Sequence, residues 1–300
     1  MKLVSFLTMV AWVAFSATVL ADQKPDVHAE HALLHSQAST QSTSVGDEAL
    51  PPGEENAKAA LEKSPRHGEY VDIKVPGNSV PIRTWVVYPE RKDKAPVIIV
   101  IQEIFGLSDW IRAVADQLAE DGFIAVAPDL ICGKGPNNGC TDSVASRDDV
   151  VKLVRALTPD EVEARLNATR EYALKIPAGN KKIATVGYCW GGMTSFAYAT
   201  KQPALNAAVV YYGTSPETSA LARIKAPVLG LYGENDARVN ATIDPAKVEM
   251  QRLNKQYEAE IYKGAGHGFL RAQSGQEEAN LKASQAAWPR MLAFLRMNLK

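Results

Sequence analysis

The chain is predicted to adopt an α/β fold with a mainly parallel central sheet flanked by helices, and three observations carry that expectation. Short, wholly apolar runs recur at 97–101, 123–127, 207–212 and 228–232, the signature of strands buried on both faces. Stretches with helical spacing of apolar residues lie between most of them, and strands alternating with helices build parallel sheets. Gly-rich segments follow several of the runs directly, at the strand ends where such folds gather their functional groups.

Taken in order, 70–75 and 82–88 read as paired strands around the turn residues Pro76-Gly77-Asn78. The run 97–101 is a buried strand, 108–121 a helix, and 123–127 another buried strand. Two helices are expected at 143–157 and 160–175, the second from the spacing of Val162, Leu166 and Ala173. A strand at 183–186 leads into a helix from Met193. Strands at 207–212 and 228–232, a helix at 245–256, a strand at 258–262 and a closing helix at 277–299 complete the pattern. No internal repeat is evident, so one domain over 68–300 is the simplest account.

The N-terminal part reads differently. Lys2 followed by a largely apolar run to Leu20, ending Val19-Leu20-Ala21, has the form of a cleaved export signal over 1–21. The run is short for a membrane span and is interrupted by Ser5, Thr8, Ser16 and Thr18. A periplasmic or secreted protein is expected, with no membrane association after cleavage. Residues 22–67 read as a flexible polar lead-in, with a short helix near 54–63. His28, His31 and His35 would share a face if helical; a solvated segment is the reading adopted over a weak metal site. A formal charge of −1 makes no case for nucleic acid as a partner.

Export alters the reading of the three cysteines, because disulfides persist in oxidising compartments. Cys132 and Cys140, eight positions apart in a turn-rich stretch, can close a short-loop disulfide, a metal site being the alternative. Cys189 is then the odd thiol. It sits in Gly187-Tyr188-Cys189-Trp190-Gly191-Gly192, after a strand and before a helix, the context of a nucleophile elbow. A buried structural cysteine in a Gly-rich turn is the competing reading.

A thiol needs a base to become a thiolate near neutrality. Of the five histidines only His267 lies inside the α/β region, in Gly264-Ala265-Gly266-His267-Gly268 after the last strand. Asp236, in Gly233-Glu234-Asn235-Asp236 beyond the 228–232 strand, is the acid expected to hold the imidazole tautomer; Glu234 and Asp244 are poorer candidates. The order Cys189, Asp236, His267 is the nucleophile–acid–base order of α/β-hydrolases. Oxyanion donors are expected at the Trp190 backbone N–H and in the loop Gln102-Glu103-Ile104-Phe105-Gly106.

The set QEIFG, APDL at 127–130, GYCWGG, GENDAR and AGHGF resembles the dienelactone hydrolase (carboxymethylenebutenolidase) family over roughly 68–298. The resemblance implies an α/β-hydrolase fold and a monomer that cleaves an ester or lactone bond without cofactor or metal. It implies Cys189 as nucleophile, His267 as base, Asp236 as orienting acid, and Glu103 as a glutamate that interacts with the resting thiol. It further implies Ile104 and Trp190 as oxyanion donors, and Arg271 and Arg147 as holders of a substrate carboxylate. A preference for small carboxylated substrates follows from that arginine pair. Val151 stands where the family has a substrate-contacting tyrosine. A thiol redox protein and a binding protein that keeps the pocket without turnover are the alternatives from other classes; the chain has no CxxC pair to support the first.

Overall fold

The structure is a computed structural model, and it describes residues 50–300. The expected export signal and the histidines at 28, 31 and 35 lie outside the described residues. The elements, in chain order, are α1 (Glu54–Lys63), β1 (Gly68–Ile73), β2 (Ile82–Val87), β3 (Ala95–Ile101), α2 (Asp109–Glu120), β4 (Ile124–Pro128), α3 (Arg147–Arg155), α4 (Pro159–Ala173) and β5 (Gly179–Tyr188). They continue with α5 (Trp190–Ala199), β6 (Ala207–Tyr211), β7 (Val228–Asn235), α6 (Ala237–Asn240), α7 (Ile243–Arg252), β8 (Tyr257–Gly266) and α8 (Ala279–Asn298).

One eight-stranded sheet runs in the order β1-β2-β4-β3-β5-β6-β7-β8. Its first two strands pair antiparallel, β2 meets β4 antiparallel, and every remaining pair is parallel. The apolar run of β3 has a simple cause: alternate residues serve opposite faces. Ile98 and Val100 pack with α2 and α8 residues such as Val114 and Trp288. Val97, Ile99 and Ile101 pack with Leu166 of α4 and Phe196 of α5. Helices therefore cover both faces, and the central strands must be apolar throughout.

Helix starts follow local chemistry. Ser108 accepts the Ile111 N–H at the head of α2. Thr158 and Glu161 form a reciprocal capping box at α4, with Pro159 in the first turn. Among the described residues, no helix is long and apolar enough to cross a membrane.

The lead-in departs from the flexible segment expected up to residue 67. From residue 50 onward it is packed: Ala57 of α1 is fully buried in the core that holds Trp110. The Trp110 indole N–H donates to the Pro52 carbonyl at 3.1 Å, and Arg66 pairs with Asp116 at 2.5 Å. Polar composition misled here because Ala57, with Leu50 and Leu61 packed against the same core, suffices to dock α1.

Candidate active site

Cys189 follows β5 and precedes α5 with φ 56° and ψ −113°, a strained conformation that non-glycine residues rarely adopt. The turn closes only because its neighbours lack Cβ atoms. A Cβ on Gly187 would lie 1.9 Å from the Gly191 carbonyl oxygen, and one on Gly191 would lie 2.3 Å from the carbonyl oxygens of Ile101 and Gln102. The Cys189 Sγ lies 3.0 Å from His267 Nε2.

His267 begins the loop after β8, and its Nδ1 lies 2.5 Å from Asp236 Oδ2. Asp236 follows β7 and is itself held, because its other oxygen accepts the Val239 N–H as the cap of α6. Glu234 is engaged elsewhere, accepting the Gly264 N–H at 2.9 Å. Three residues spread over 78 positions thus meet at the carboxyl edge of the sheet. Burial opposes charge on the His267 ring, but the hydrogen bonds to Asp236 and Cys189 outweigh it and push the imidazole up to about 9. The site therefore favours an imidazolium beside the sulfur.

The turn after β3 supplies the opposite wall. Gly106 N–H donates to the Glu103 carbonyl at 3.3 Å, which leaves the Ile104 N–H outside the turn. Trp190 is the first residue of α5, and a helix's first N–H groups have no intrahelical acceptor. Ile104 and Trp190 both pack on the cluster of Ile131, Val150 and Val154.

Glu103 is 2% exposed. Burial, which outweighs the nearby Arg271 and His267, pushes its carboxyl up to about 7. Its carboxylate lies 2.9 Å from Arg271 Nε in an ion pair without hydrogen-bond alignment; the thiol partner seen here is His267. Arg271 and Arg147 do come together, about the face of Phe105, with guanidinium carbons 5.3 and 3.5 Å from the ring centre. Cys132 and Cys140 form a disulfide, which removes both thiolates as metal ligands.

Two participants carried no signal strong enough to be singled out. Tyr212, one residue past β6, has φ 39°, and its ring meets His267 edge-on at 5.3 Å between centres. Its position at the end of a parallel strand was the available clue. Glu54, at the start of α1, ion-pairs with Arg271 and with Arg147, the latter at 2.8 Å; nothing in the sequence points to that contact. Beyond Trp190, a largely apolar groove of about 570 Å³ runs past Met193, Ala197 and Pro216.

A mainly parallel sheet with helices on both faces and a strained strand-to-helix turn that meets a histidine and an aspartate defines an α/β-hydrolase. The family model described as "Dienelactone hydrolase family" matches residues 82–299, and the chain belongs to that family. A carboxymethylenebutenolidase of Pseudomonas putida is 33% identical over 207 residues, covering 68% of this chain and 86% of that one. A protein of Salmonella typhimurium provisionally named carboxymethylenebutenolidase is 32% identical over 234 residues, covering 73% and 84%. The crystal structure of a provisionally assigned dienelactone hydrolase from Klebsiella pneumoniae superposes with a TM-score of 0.65 at 29% identity. It covers 76% of this chain and 97% of that one.

Proposed function

We propose that this chain hydrolyses an ester or lactone bond in two steps through an acyl-thioester on Cys189. The observation that carries the reading is the relay Cys189 Sγ, His267, Asp236, with contacts of 3.0 and 2.5 Å. The Cys189 thiolate attacks the carbonyl carbon while the Trp190 and Ile104 N–H groups receive the developing oxyanion. Collapse of the tetrahedral adduct breaks the C–O bond, and the departing alkoxide takes the proton from the His267 imidazolium. The neutral imidazole then removes a proton from water as that water attacks the thioester. The second adduct expels the Cys189 thiolate, the acid product leaves, and the imidazolium is restored. Asp236 holds the ring so that Nε2 faces the sulfur throughout. With a lactone, acid and alcohol leave as one hydroxy acid. The relatives named as carboxymethylenebutenolidases support this bond class.

Export belongs to the same reading. Lys2 with the apolar run to Ala21 supports a cleaved signal, and the Cys132–Cys140 disulfide accords with an oxidising compartment.

Mature protein and its Cys189→Ala variant, assayed on small lactones and aryl esters, test the mechanism. Wild type should give a burst of one equivalent of phenol and an acyl adduct on Cys189 by intact mass. The alanine variant should lose at least about a thousandfold in kcat/KM. Undiminished turnover by the variant sinks the mechanism.

A further inference from the structure

We propose that Glu54 sets the substrate class: its carboxylate occupies the arginine pair, so the chain acts on uncharged esters or lactones in preference to carboxylated ones. The inference rests on the hydrolase reading above and names the substrate for that same site.

Arg271 and Arg147 are the groups that the family resemblance would give to a substrate carboxylate, and both are engaged from within. Glu54 Oε2 pairs with Arg271 and Oε1 with Arg147 at 2.8 Å. The contact is built in at several points. The Glu54 backbone N–H donates to the Arg271 carbonyl at 3.0 Å. Two residues earlier, Pro52 is held by the Trp110 indole, and Pro51 before it accepts from Gln273 Nε2 at 2.8 Å. An anion fixed in this way competes at a high effective concentration with any free one.

Charge balance points the same way. Glu54 faces both Arg271 and Arg147, and the Glu103 carboxyl adds a second acidic group against Arg271. Glu54 already bridges both guanidiniums, so a substrate carboxylate would have to displace it or sit unpaired beside Glu103 at 2% exposure, where desolvation of an unpaired charge is costly. An uncharged acyl group meets no such barrier. The expected preference for small carboxylated substrates is thereby reversed, by a residue outside the stretch that the family model matches.

The test compares wild type with Glu54→Gln on a matched pair of aryl esters, one with a neutral acyl chain and one with a terminal carboxylate of the same length. Glutamine keeps the backbone hydrogen bond and the side-chain shape but removes the charge. Wild type should favour the neutral ester. In Glu54→Gln, the carboxylated-to-neutral ratio of kcat/KM should rise about tenfold or more, chiefly through a lower KM for the carboxylated ester. A ratio that stays within twofold overturns the proposal. Should the variant fail to fold, wild type alone decides: a tenfold preference for the carboxylated ester refutes it, and a preference for the neutral ester supports it. Failure of the hydrolase reading would look different, as no Cys189-dependent turnover of either ester.

Discussion

The Thr141 hydroxyl accepts a hydrogen bond from the Leu107 amide at 3.1 Å, tying the disulfide loop to the turn that carries Ile104. Thr141 is in turn held by Asp129, through its backbone N–H at 2.7 Å and its hydroxyl at 2.9 Å, and it follows Cys140 directly. Gly106 packs so closely on it that a Cβ there would lie 2.3 Å from Thr141 Oγ1. In the proposed mechanism, Thr141 is a positioning residue for the turn that carries the Ile104 N–H. Thr141→Val should lower kcat by about ten- to a hundredfold with little change in KM, since small displacements of a donor weaken the transition state most. Steady-state kinetics on a neutral aryl ester checks it, and an unchanged kcat with an altered KM would contradict the link.

Replacing both Cys132 and Cys140 by serine should destabilise the fold by about 2 kcal/mol, the scale of chain entropy for so short a loop. Urea unfolding of the two proteins measures it. Because the loop supports Thr141, the double variant should also lose kcat, in the same direction as Thr141→Val.

Asp236→Asn should leave the fold in place and lower kcat by about 10²–10⁴-fold, because an amide no longer holds the required tautomer. The variant should also shift the imidazole titration downward, since the Asp236 hydrogen bond is one of the groups raising His267 to about 9. Histidine NMR across a pH series reads the shift directly, and an unmoved titration would argue against the relay.

Two raised groups give the stability a defined pH dependence. Glu103 holds its proton in the folded state up to about 7, against an ordinary 4.5, so stability falls as pH rises through that window. His267 holds its proton up to about 9, against 6.5. Its contribution is fully present below 6.5 and is lost as pH climbs to about 9. The Tm advantage of wild type over His267→Gln should therefore shrink between pH 6.5 and 9. Relative to Glu103→Gln, wild type should lose ground between 4.5 and 7. Differential scanning calorimetry of the three proteins checks both windows, and a difference that grows with pH in either one would reverse the assignment.

Gly191→Ala should destabilise by about 3 kcal/mol or prevent folding, because the new methyl would overlap the Ile101 and Gln102 carbonyls. Thermal melts of the purified variant test this; a Tm within a degree or two of wild type would mean that the elbow is looser than described.

Much of the architecture was legible in the chain because it is encoded locally. The runs in β3, β4, β6 and β7 announce strands buried on both faces, and the helix near 54–63 was readable despite its polar setting. Boundaries shifted by a few residues where long strands such as β5 and β8 extend beyond their apolar centres. What composition misjudged was the attachment of α1, since polarity reports solvation and not docking.

The sequence by itself determined which groups meet in the relay. Cys189, Asp236 and His267 stand beside or just past strand ends in Gly-containing segments, and strand ends in a parallel sheet lie along one edge whatever the rest of the chain does. Only the tertiary structure decided what surrounds them: Tyr212 against the imidazole, Thr141 behind the turn after β3, and Glu54 between the two arginines. Glu54 and Arg271 are 217 residues apart, and a charge pair at that separation leaves no periodicity or motif to read. It exists because the sheet order and the docking of α1 bring two distant surfaces within the few ångströms over which ions pair.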